Sequence, residues 1–121
     1  MSKPHKKLIA WQKAMTLVEK IYQVTRDLPR EEIYGLQSQI RRAIVSVPSN
    51  IAEGHTREHI KEYLHHVSMA QASLAELETQ LEIAGRLKYL MPNHVRELLG
   101  EITSLGKQLY ALRNALVRSR Q

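Results

Sequence analysis

Residues 41–59 read RRAIVSVPSNIAEGHTREH, and the fold turns on what Pro48 does to them. Before the proline, Ile44 and Val47 continue an apolar spacing that begins at Ile33, Leu36 and Ile40; after it, the same spacing reaches Ile51. Steps of three and four place these side chains on one face of a helix. A loop at Pro48 would shift that phase, and the phase holds. The pattern therefore predicts one helix over about residues 31–53, kinked at Pro48. Proline cannot donate to the Ile44 carbonyl, and its ring crowds that carbonyl. The competing reading is two helices with a break at 46–49, because a residue before proline avoids helical angles. Ser46, Ser49 or Asn50 would satisfy backbone groups around the bend. Gly54 reads as a C-cap, and Thr56 as the N-cap of the next helix.

Three more amphipathic segments flank this one. Leu8, Trp11, Met15, Val18, Tyr22 and Thr25 form one stripe of a helix over about 6–28, and Ala14, Leu17, Ile21, Val24 and Leu28 form a second beside it. The apolar face is thus wider than one core seam requires. Pro29 ends the segment. A third helix, about 57–89, carries Ile60, Leu64, Val67, Ala70, Leu74, Leu77, Leu81, Ala84 and Leu87. After YLMPNH, a fourth helix over about 93–118 carries Val95, Leu98, Ile102, Leu105, Leu109, Leu112 and Leu116, a heptad seam. Pro92 and Asn93 suit its entry. Four such helices with short connections predict an all-α fold: an antiparallel up-down-up-down four-helix bundle, a single domain over residues 1–121 with a proline-kinked second helix. No strand pattern or internal repeat competes.

Composition narrows the function classes. The 121 residues include no cysteine, which excludes disulfides, thiolate metal sites and a cysteine nucleophile. No apolar run approaches the roughly 20 residues that cross a bilayer. The basic N-terminus lacks the apolar stretch of a signal peptide. The expectation is a cytoplasmic protein with no membrane association. A formal charge of +6 points to an anionic partner, chiefly nucleic acid.

His55, His59, Glu62 and His66 recur at steps of four, three and four, so one helical face would carry them, and Glu62 with His65 makes a Glu-x-x-His. A di-metal bundle needs two such pairs plus two further inward glutamates, and no second pair exists. These residues also flank a seam of Ile60, Leu64 and Val67, which turns them toward solvent or a subunit contact. No metal and no cofactor are expected. Glu76, Glu78 and Glu82 read as a solvated face, since acid–base work needs groups converging in a pocket. Glu53, between Ala52 and Gly54, is expected to pair with Arg57 or Arg42. No phosphate-binding loop, dinucleotide fingerprint or serine-nucleophile elbow is present, so enzymatic activity is not expected.

The cations have more pattern. Residues 1–18 hold Lys3, Lys6, Lys7 and Lys13 and no acid; residues 102–121 hold Lys107, Arg113, Arg118 and Arg120 and no acid. In an up-down bundle these two stretches lie at one end, where the turn GHTREHIK adds Arg57 and Lys61. A cationic pole results, suited to phosphate backbones with a salt-dependent affinity. Few aromatics are free for stacking, so backbone or shape recognition is expected over base reading.

The stretch LIAWQKAMTLVEKIYQVTRDLPREEIYGLQSQIRRAIVSVPSNIAEGHTR, residues 8–57, and SLAELETQLEIAGRLKYL, residues 73–90, resemble the four-helix-bundle proteins encoded in intervening sequences of bacterial 23S rRNA genes. GLQSQIRRA and SVPSNIAEG carry the resemblance most specifically, and it covers about residues 8–115. Ala72 departs from the family, which often has glycine there. The resemblance implies a ring-like homopentamer, similar in shape to the accessory variability determinant of diversity-generating retroelements, which partners a reverse transcriptase and nucleic acid. It supplies no catalytic residues. Five copies of a +6 chain would carry about +30. Pro48, Ser49, Asn50, Glu53, Gly54 and Arg57 then read as a shape-making motif. The functional expectation is a homo-oligomeric binder of structured RNA or an RNA–DNA hybrid. The alternative is a protein-interaction scaffold for a reverse transcriptase or another partner.

Overall fold

Phase across Pro48 is kept because the helix itself is kept. In the computed structural model, which describes residues 4–120, helix α2 runs unbroken over Leu36–His55 with Pro48 buried inside it. This overturns the reading of two helices with a break at 46–49. The other helices are α1 (Ile9–Thr25), α3 (Ile60–Arg86) and α4 (Pro92–Arg120), with 3₁₀ turns at Pro4–Lys7 and Arg30–Glu32. No strand occurs among the described residues.

Each helix packs on its neighbour in sequence, and α1 closes the bundle against α4. Ser46 meets Ser73, while Asn50, one turn on in α2, meets His66, two turns back in α3. Lys20, late in α1, bonds Glu101, early in α4, whereas Ala10 shares a groove with Gln108 and Leu112. Contacting helices therefore run in opposite senses. Leu17, Ile21, Ile40, Ile44, Ile51, Leu77, Leu81, Leu105 and Leu109 are fully enclosed. Each such side chain contributes roughly 1.5–3 kcal/mol by leaving water.

The two stripes of α1 separate. Ala14, Leu17 and Ile21 form the core, and Met15 and Tyr22 on the outer stripe remain exposed. Leu8, Trp11 and Val18 of that stripe pack partly against the core, and Thr25 goes further. It is fully buried, and its hydroxyl donates to the Ile21 carbonyl at 2.7 Å.

Helix ends differ from the sequence expectation for local reasons. Residues 30–32 form a 3₁₀ turn, and α2 starts at Leu36, whose N–H donates to Glu32 Oε1 at 3.1 Å. Helix α3 stops at Arg86 because Lys88 takes a left-handed conformation, φ 63°. Tyr89 N–H donates to the Ala84 carbonyl and Lys88 N–H to the Gly85 carbonyl, the paired bonds of a Schellman turn with lysine in the usual glycine place. Gly54 is not a left-handed C-cap: α2 continues through it to His55. Thr56 is not an N-cap either. Its hydroxyl donates to the Glu53 carbonyl at 2.6 Å and closes the end of α2, and His59 precedes α3.

Candidate nucleic-acid interface

The residues after Pro48 build a polar seam between α2 and α3. Asn50 Nδ2 donates to the Ser46 carbonyl at 2.9 Å and lies 3.0 Å from Ser46 Oγ. Since that carbonyl only accepts, the amide orientation is fixed, and Asn50 Oδ1 faces His66 Nδ1 at 3.0 Å. An amide oxygen only accepts, so the proton sits on Nδ1 of His66. Ser46 Oγ also pairs with Ser73 Oγ at 2.8 Å. Gly54 makes the approach possible: a Cβ there would sit 2.9 Å from His66 Cβ and 2.9 Å from Tyr63 Cδ1. One turn on, His55 Nδ1 pairs with the Tyr63 hydroxyl at 2.8 Å, and burial pushes the Tyr63 phenol up from its ordinary range.

This seam corrects two expectations. His66 is buried, not turned to solvent, and it faces Asn50. Glu53 Oε2 lies 3.8 Å from His66 Nδ1, and among the described residues it forms no ion pair with Arg57 or Arg42. Of the shape-making motif, Pro48, Asn50 and Gly54 are buried, while Ser49, Glu53 and Arg57 are exposed. The histidines do not share one helical face: His55 ends α2, His59 lies between helices, and His66 is in α3. Among the described residues, no group of three or more His, Asp or Glu side chains is arranged to hold a metal ion.

The cations divide into those brought together and those left apart. Arg57, from the turn between α2 and α3, Lys61, from the first turn of α3, and Arg113, from α4, converge on one groove of about 720 Å³. His65, His66 and Ser68 line it too, and among the described residues Glu62 is its one acid. Arg113 is steadied by a bond of 3.2 Å from its guanidinium to Ser68 Oγ. Lys7 lies in a separate, smaller groove with Gln108 and Leu112. Lys6, Lys13, Lys107 and Arg118 are exposed and line neither groove. Arg120 is the last residue of α4, and Lys3 lies outside the described residues. The 4–7 turn contacts α1 and α2, so Lys6 and Lys7 sit at the end of the bundle where α2 finishes.

Sequence reasoning missed Ser73, Tyr63 and Ser68. The first two complete the α2–α3 seam, and the third positions Arg113. Ser73 and Ser68 carry no signal in a helix; serine there reads as surface. Tyr63 precedes Leu64 of the expected seam, and Gly54 opposite it leaves the space that its ring fills.

A family model described as 23S rRNA-intervening sequence protein matches residues 6–111. The chain is similar in fold to the crystal structure of a protein with unknown function from the S23 ribosomal protein family of Bacteroides thetaiotaomicron VPI-5482. That likeness has a TM-score of 0.81 at 19% identity and covers 87% of this chain and 98% of the other. No curated protein matches the chain.

Proposed function

The chain belongs to the 23S rRNA-intervening sequence protein family, and from that premise we propose that it is a non-enzymatic, homo-oligomeric protein that binds structured RNA or an RNA–DNA hybrid through phosphate contacts. The observation that carries this reading is the convergence of Arg57, Lys61 and Arg113 on one groove. Three cations from three separate segments, with Arg113 held by Ser68, gather where an anionic oxygen could be bound. Arginine suits phosphate best, because its planar fork bonds two oxygens at once. Lys6, Lys7, Lys13, Lys107, Arg118 and Arg120 extend the positive field, which attracts a polyanion before contact forms. Binding of this kind selects shape and charge over sequence.

Self-association strengthens the same field. The first turns of α1 leave Met15 exposed on the outer stripe, and we take the stripe as far as Val18 as part of the contact between copies in a ring, which the family resemblance puts at five. The exposed stripe also supports a second reading, an accessory scaffold that docks a reverse transcriptase or another protein. The experiment that separates the two is a gel shift with 23S rRNA fragments, RNA hairpins and RNA–DNA hybrids at low salt, beside a pull-down after nuclease treatment. Retarded RNA bands support the first reading. No shift with any nucleic acid, and one protein recovered stoichiometrically, supports the second.

A further inference from the structure

Far from the cationic groove, the end of α1 and the start of α2 enclose another hollow of about 440 Å³. Tyr34 stands at its rim with 97% of its surface exposed. A large aromatic ring this free has no role in holding the monomer together. Behind it, the Arg41 guanidinium lies 4.4 Å over the Tyr22 ring. Arg41 is fixed there by Nε donating to Thr25 Oγ1 at 3.0 Å and a terminal nitrogen donating to the Tyr22 carbonyl at 3.2 Å. The buried Thr25 hydroxyl thereby anchors a planar cation. Arg42, exposed on the same wall, is held among the described residues only by a 3.4 Å bond to Ser38.

We propose that this hollow is a binding site for an unpaired base of single-stranded RNA, with Tyr34 as the stacking surface and Arg42 as the phosphate contact. The proposal rests on the nucleic-acid reading above and adds a second site to it. Tyrosine rings and guanidinium planes are the groups on which splayed-out bases stack. Ile33 and Val45, both exposed, line the hollow and offer apolar contact to a base face. Two guanidiniums border the hollow and, among the described residues, no acid lines it, so its local charge suits a polyanion. The carboxylate of Glu32 does not line the hollow. It is turned to the Leu36 N–H and the Tyr89 hydroxyl. Along α2, Arg41 lies about 20 Å from the end of the helix that leads to Arg57, at 1.5 Å per residue. The two sites are therefore distinct.

The test compares a short unstructured RNA with an RNA duplex, each fluorescently labelled, on the full chain and on Tyr34→Ala, Tyr34→Phe and Arg42→Ala, with the assembly mass of each variant measured by light scattering. The expected result is that Tyr34→Ala weakens single-strand binding about tenfold, leaves duplex binding and mass unchanged, and is rescued by Tyr34→Phe. Arg42→Ala weakens single-strand binding and flattens its salt dependence. Unchanged single-strand affinity in Tyr34→Ala overturns the proposal, and a lower mass in that variant would assign the hollow to contact between copies. Equal loss on single strand and duplex also overturns it. If the unaltered chain binds neither RNA, the nucleic-acid reading itself fails.

Discussion

Asn50 Oδ1 and His66 Nδ1 meet at 3.0 Å across the seam of α2 and α3, beside the cationic groove that His66 also lines. The pair ties the residues after Pro48 to the helix that carries Lys61. Asn50→Ala removes the acceptor and leaves a buried imidazole N–H unbonded, which costs about 1–3 kcal/mol. The Asn50→Leu/His66→Leu double variant is expected to be less destabilised than the sum of its single changes, because neither partner is left stranded. Urea unfolding of the four proteins measures the coupling.

Gly54 and Gly100 give opposite outcomes for the same substitution. A methyl group at Gly54 would press on His66 Cβ and Tyr63 Cδ1, both at 2.9 Å, and neither can swing aside. Gly54→Ala is therefore expected to lose about 1–3 kcal/mol. Nothing lies within 4 Å of the corresponding position at Gly100, inside α4. Gly100→Ala is expected to gain about 0.5–1 kcal/mol from helix propensity. Thermal melts of the two variants, compared with the parent, decide both.

Lys88 supplies a third. Its left-handed backbone, φ 63°, closes α3 where glycine would be free of Cβ strain. Lys88→Gly is expected to raise stability by about 1 kcal/mol, read as a higher urea midpoint with an unchanged slope.

Alkaline pH should weaken the fold in a defined way. Burial raises the Tyr63 phenol above its ordinary 10.0, and the bond to Glu32, with burial and the charges of Glu32 and Glu31, raises Tyr89 above the same value. Each holds its proton more tightly folded than unfolded. Their contribution is complete below the unfolded value and is lost as pH rises through the folded one. Melting temperature is expected to fall beyond about pH 10, and to fall less steeply in Tyr63→Phe. An equal fall in that variant would remove Tyr63 from the cause.

What the sequence disclosed follows from which interactions repeat. The core of α4, from Leu98 to Leu109, was legible because one spacing holds throughout and every member is buried. Pro48 was legible as intrahelical for the same reason. Helix ends were less so, since they depend on single contacts: Glu32 reaching the Leu36 N–H, or Lys88 turning left-handed. At the candidate site, Arg57, Lys61 and Arg113 could be grouped by topology. Their separation from Lys13 and Lys107 could not, because which side of a helix faces the groove depends on packing. His66 was misplaced for a related reason. Gly54 opens space for it, and Asn50 satisfies it, across a seam that periodicity treats as purely apolar.

The most direct test of the cationic groove is the salt dependence of RNA binding, measured for the full chain and for Arg57→Ala, Lys61→Ala and Arg113→Ala. Affinity is expected to fall linearly on logarithmic axes as salt rises, and each substitution to lower the slope by about one while the melting temperature holds. A slope indifferent to all three substitutions, or no binding at low salt, would contradict it.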